Sequence, residues 1–198
     1  NLKTTQVVAL TTDQVVALTT AQAGALTSNQ IGVLSTDAVA AMESTDFAAL
    51  KTAVVAALTT NQIGVLTTND ITAMTTGQAG ALTTNQIKVL TTDQVVAMSS
   101  AQLGAFSTVQ FNALSTNDIA AIETADLVGL RTAVIATLTT NQLAALSTDQ
   151  VSSLTTAQVS ALSTNSIVAL TTDQVVALGS AQAAVLASAQ VVALSTNN

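Results

Sequence analysis

The sequence predicts an all-α solenoid of very short capped helices, one per eight-residue repeat, and three observations support that prediction. A leucine-like residue recurs every eight positions from Leu2 to Leu194 without a slip. Each full octad of the form Leu-Thr-Thr-x-Gln-Val-x-Ala carries a helix-start signal, and its apolar residues are too few to bury themselves without neighbours. The composition agrees with a repetitive architecture, with 49% hydrophobic, 2% aromatic and 8% charged residues and no proline. That apolar content argues against a disordered chain, which needs low hydrophobicity and high net charge.

We number the octad from its leucine. Position three is Ser or Thr throughout, position six is usually Val, Ile, Leu or Phe, and position eight is mostly Ala. One continuous helix fails, because eight residues at about 100° each overshoot two turns by about 80° and the leucines would spiral around the rod. Broken into short helices, the unit reads well. Thr11 and Gln14 have the spacing of a capping box, and Leu10 and Val15 hold the flanking positions of a hydrophobic staple. Asp13, Asn29 or Ala21 at position four then falls in the first turn, where a small or acidic side chain suits the unpaired amides.

Such helices are far shorter than the ~12 to 15 residues of a marginally stable isolated helix, so they must pack against other octads. A β-solenoid is the alternative, with Val and Ala pointing inward by alternation and Thr-Thr-Asn forming a corner. Against it stand the helix-forming Ala, Leu and Gln, and the adjacent apolar residues at positions eight and one. The number of octads per turn stays open. Ten octads in a longer unit suit two per turn, whereas the series Asn141, Asp149, Ala157, Asn165, Asp173, Ala181 suggests three.

The domain reading is one continuous array over 1–198, of about 24 octads, with an 80-residue higher-order repeat at approximately 11–90, 91–170 and a partial 171–198. Residues 11–18 return nearly verbatim at 91–98 and 171–178, and Glu43, Asp46 and Lys51 return as Glu123, Asp126 and Arg131. Where position two is Glu, Lys or Arg, position five is Asp or Val; Lys3, Ser35, Gly179 and Ala187 depart from that coupling.

Eleven acidic residues face only Lys3, Lys51, Lys88 and Arg131, a net charge of -7, so nucleic acid is not an expected partner. Polar steps interrupt every apolar run before it reaches membrane-spanning length. The absence of cysteine leaves the redox compartment unread. Beginning at Asn1 with no signal-type segment, the chain reads as a piece of something longer.

With no His, Cys, Tyr or Trp and no base beside its hydroxyls, the chain is not expected to be an enzyme. No catalytic, cofactor-binding or metal residue is assigned, and no cofactor is expected. Asp13, Asp93 and Asp173 read as helix-start residues, since one carboxylate per octad makes no calcium loop. Glu43 with Lys51 and Glu123 with Arg131 read as surface ion pairs, or more sharply as register marks or joints between arrays. Phe106 and Phe111 read as local core filling. The threonine rows read as caps first and as a glycan- or ice-facing ladder second.

The string Leu58-Thr-Thr-Asn-Gln-Ile-Gly-Val-Leu66 and its relatives along the whole chain resemble the octapeptide tandem repeats of large secreted or surface, adhesin-like or haem-utilisation-like proteins of Gram-negative bacteria. The resemblance implies an extracellular or cell-surface stalk, filament or matrix scaffold. It maps no functional residue onto this chain. The octads Leu2–Ala9 and Leu186–Ala193 are as apolar as internal ones, so the expected partner is continuation of the same array or an end-to-end copy. The alternative function is a binding module presenting a regular Thr/Asn face to glycan, ice or mineral.

Overall fold

The computed structural model describes residues 2–195. Asn1 and residues 196–198, which the sequence reading includes in the array, lie outside the described residues. Every octad among the described residues forms one short helix, and none forms a strand, so the all-α reading holds and its β alternative falls.

The chain divides into two compact units, 1–105 and 106–198. The first holds α1 (Thr4–Val7), α2 (Thr12–Val16), α3 (Thr20–Ala23), α4 (Ser28–Ile31), α5 (Thr36–Ala40), α6 (Ser44–Ala48), α7 (Thr52–Val55), α8 (Thr60–Gly64), α9 (Thr68–Ala73), α10 (Thr76–Gly80), α11 (Thr84–Ile87), α12 (Thr92–Val96) and α13 (Ser100–Gly104). The second holds α14 (Thr108–Phe111), α15 (Thr116–Ala121), α16 (Thr124–Gly129), α17 (Thr132–Ala136), α18 (Thr140–Ala144), α19 (Thr148–Ser153), α20 (Thr156–Ser160), α21 (Thr164–Val168), α22 (Thr172–Val176), α23 (Ser180–Ala184) and α24 (Ser188–Ser195).

Within each unit a helix packs on the one three octads later: α3 on α6 on α9 on α12 in the first, and α15 on α18 on α21 on α24 in the second. Three octads therefore complete one turn, which settles the open question in favour of the position-four series. Consecutive octads lie on different stacks, and residues one turn apart in the chain lie on the same stack.

The chain turns corners without left-handed residues. Each helix ends on residues such as Ala17, φ -79 and ψ 0, and the next begins from an extended residue such as Thr19, φ -84 and ψ 155. No residue with positive φ occurs among the described residues, glycines included. Two extended residues between helical segments suffice for the corner, so the array repeats without proline or glycine at a fixed place.

Positions one and six form the core. Ile31, Phe47, Ile63 and Ile87 at position six and Leu34, Leu58, Leu82 and Leu90 at position one are buried in the first unit, as are Ile119, Leu143, Leu146 and Leu162 in the second. Phe106 and Phe111 are fully buried, in accord with the core-filling reading. Ala at position eight is not part of this core: Ala17 is exposed and Ala97 half-buried. Its small size serves the stacking of turns. A Cβ on Gly80, at position seven, would lie 3.4 Å from the Ala105 Cβ and 3.1 Å from the Ala105 oxygen one turn on. A larger residue at either place would hold the turns apart.

Candidate functional site

The repeated chemistry of the chain sits at the start of each helix. At α11 the Thr83 N–H donates to Gln86 Oε1 at 2.7 Å, and the Gln86 N–H donates to Thr83 Oγ1 at 3.2 Å. This is the capping box expected from the Thr-x-x-Gln spacing. It recurs at Thr59 with Gln62, Ser99 with Gln102, Ser147 with Gln150 and Thr171 with Gln174. Two otherwise orphaned backbone or side-chain groups are satisfied at each helix start.

The glutamine has a second role that the capping-box pattern alone did not reveal. Its Nε2 points away from its own helix and donates to carbonyls of the preceding turn. Gln62 Nε2 lies 2.8 Å from Ile31 O and 2.8 Å from Leu34 O. Gln86 reaches Val55 O and Leu58 O at 3.1 and 2.8 Å, and Gln94 reaches Ile63 O and Leu66 O at 2.9 and 2.8 Å. In the second unit Gln150, Gln174 and Gln182 repeat the arrangement. The acceptors are the position-six carbonyl in the last turn of one helix, such as Val55 O, which also accepts from the Leu58 N–H at 3.2 Å, and the position-one carbonyl of the following corner, which lies beyond the helix.

Each such glutamine is therefore a staple. Its oxygen caps its own helix and its nitrogen ties that helix to the turn before. Gln62 is only 2% exposed, yet its amide is fully used, as a buried amide must be.

The departures from the consensus now have physical accounts. Lys3, Gly179 and Ala187 lack a capping hydroxyl, yet each N–H still donates to the glutamine three residues on, at 2.9, 2.8 and 2.6 Å. Ser35 keeps the other half, accepting from the Ala38 N–H at 3.1 Å. These residues broke the coupling of positions two and five because half a box survives in each. Asp70 and Asp118 close the box with a carboxylate: Asp70 Oδ2 accepts from Thr67 N–H at 2.8 Å and Thr67 Oγ1 at 2.7 Å, and Asp118 Oδ2 accepts from Ser115 in the same way. A carboxylate has no N–H to send across the turn.

Arg131 replaces the staple by another route. A glutamine at 134 would reach the carbonyl of residue 106, as Gln142 reaches Leu114 O and Gln158 reaches Leu130 O. Position 134 is a valine, and Arg131 Nη2 donates to Phe106 O at 2.6 Å instead. The expected ion pairs are not formed: neither Glu43 with Lys51 nor Glu123 with Arg131 is joined. The two members of each pair belong to adjacent octads, and with three octads per turn adjacent octads occupy different stacks rather than one column.

Asp13, Asp93 and Asp173 lie in the first turns of α2, α12 and α22, where the unpaired amides favour negative charge. Among the described residues no group of three or more acidic, His or Cys side chains is arranged to hold a metal, and no helix is long and apolar enough to cross a membrane. A depression on the first turn is lined by Leu2, Leu10, Leu18, Leu26, Gln22 and Gln30. Position-one leucines and capping-box glutamines make up most of this wall, and of the two glutamines Gln30 donates to Leu2 O at 2.7 Å.

Short capped helices, one per octad, stacked at three per turn and stapled by glutamine, define a helical solenoid of structural tandem repeats. The chain belongs to the ALTTAQ repeat family, whose model matches residues 1–36, 39–76, 68–100, 119–156 and 153–180. Among curated proteins no match is found.

Proposed function

We propose that the chain is a structural, non-catalytic element: an extracellular or cell-surface stalk, filament or matrix scaffold, part of a longer adhesin-like protein of Gram-negative type or a self-stacking subunit. The observation that carries this reading is the turn-to-turn glutamine staple. Each stapled turn donates from its glutamine amides to carbonyls of the turn before and offers its own position-six and position-one carbonyls to the turn after, so the arrangement extends without a special residue. The leucines of the first turn support the same partner, either more of the array or an end-to-end copy.

The test is solution scattering on arrays lengthened by whole 80-residue units, with sedimentation over a concentration series. A maximum dimension growing in proportion to the number of units supports the spacer. Concentration-dependent assembly supports the self-stacking form. Lengthened arrays that stay equally compact would remove both.

A second reading rests on α15, α18 and α21, which form one stack in the second unit. Their Thr116-Asn117, Thr140-Asn141 and Thr164-Asn165 pairs recur on consecutive turns, and the three asparagines are exposed. A regular Thr/Asn face of this kind suits a repeating polar surface of glycan, ice or mineral. Asn117→Lys, Asn141→Lys and Asn165→Lys together should abolish binding to a glycan array or ice-recrystallisation inhibition. If the unsubstituted chain has neither activity, the reading fails.

A further inference from the structure

Turns of the first unit are not all stapled. Gln78, Gln86 and Gln94, at the starts of α10, α11 and α12, all reach back to carbonyls of the turn before, so that turn is tied on all three stacks. The turn α5–α7 holds Ala38, Asp46 and Val54 at the corresponding position. None of these side chains has an N–H to donate. The acceptors that glutamines there would reach are the position-one carbonyls of Leu10, Leu18 and Leu26, by the same spacing that links Gln86 to Leu58. Apolar packing continues across this junction, with Val39, Phe47 and Val55 buried and α5, α6 and α7 resting on α2, α3 and α4. A single hydroxyl bond, from Ser28 Oγ to Ala53 O at 3.0 Å, is the side-chain tie seen between them.

We propose that the junction between α2–α4 and α5–α7 is a built-in parting line, at which the solenoid opens as one whole turn before any stapled junction opens. Apolar contact holds the two turns together but is non-directional, whereas each staple adds hydrogen bonds that must break before turns can separate. Because all three stacks lose the staple in the same turn, opening there breaks, besides the Ser28 bond, only the one Gln62 bond to Ile31 O, while the Gln62 bond to Leu34 O and the staples of Gln78, Gln86, Gln94 and Gln102 stay intact. The triplet is a regular feature of the long repeat: Asp118, Asp126 and Val134 hold the same places 80 residues on. The inference concerns how the coil yields and stands whether the array serves as a spacer or as a binding face.

Native-state hydrogen exchange on the full chain tests it. The amides of α2, α3 and α4 should share one opening equilibrium, separated by a step from the amides of α8 to α12. Ala38→Gln, Glu43→Thr, Asp46→Gln, Lys51→Thr and Val54→Gln, introduced together, should raise protection in α2–α4 at least about tenfold and leave α10–α12 unchanged. In the opposite direction, Gln78→Val, Gln86→Val and Gln94→Val should create a second step, between α7–α9 and α10–α12. The proposal is overturned by protection that rises smoothly from the chain start through α7, or by a stapled variant whose α2–α4 amides exchange as fast as before. If the glutamine-depleted variant does not fold, the stapled variant still decides the matter.

Discussion

One glutamine side chain accounts for much of the order in this chain, because its two ends serve two helices. Gln86→Ala removes the acceptor for Thr83 N–H and the donor for Val55 O and Leu58 O, whereas Thr83→Ala removes only one cap contact. We expect the first to cost about 2–4 kcal/mol and the second about 1 kcal/mol, measured by urea denaturation. Arg131→Ala should likewise destabilise the second unit, by about 1–3 kcal/mol, through loss of the bond to Phe106 O. Arg131→Thr with Val134→Gln should restore that stability by rebuilding the consensus; failure of the double variant would show that the two donors are not equivalent. The capping half of the glutamine was legible in the sequence because Thr-x-x-Gln is a local pattern. The donor half was not, because its acceptors lie about thirty residues away and are backbone atoms that any residue supplies.

The elements are one-turn helices that owe their existence to caps and neighbours, and the glycines within them separate these influences. Gly64 ends α8 and Gly104 ends α13, and a Cβ at either would meet nothing within 4 Å. Gly64→Ala and Gly104→Ala should each stabilise the chain by about 0.5–1 kcal/mol. Gly24 differs, since a Cβ there would sit 3.0 Å from Ala49 O on the next turn. Gly24→Ala should show no gain or a loss, and thermal melts of the three variants would rank them. Helix starts were readable from position two, and observed starts such as Thr12, Thr60 and Thr140 fall one residue after it. What the small Ala at position eight is for was not legible, because composition shows that a site is small without showing whether space or contact demands it.

At the scale of the molecule the repeat length matters more than any single residue. Removing 83–90, one octad, brings equivalent residues into register again, so the shortened chain should keep helical circular dichroism and a cooperative melt. Removing 83–86 sets caps against core positions and should abolish the cooperative melt. Equal behaviour of the two deletions would contradict a stack built from octads. The period of eight and the helical class were plain in the sequence. Three octads per turn followed from contacts between stacks, and the mistaken Glu43–Lys51 pairing came from treating adjacent octads as if they shared one column.

The corner without a left-handed residue has a genetic consequence. No octad requires a glycine or proline that the others lack, so an in-frame slip of the gene by one repeat yields a chain whose new corner is already competent to turn. A slip of one octad moves every downstream decoration to the next stack, while a slip of three returns it to its own. Length can therefore vary between alleles without loss of fold, and surface pattern is inherited intact when repeats are gained or lost in threes.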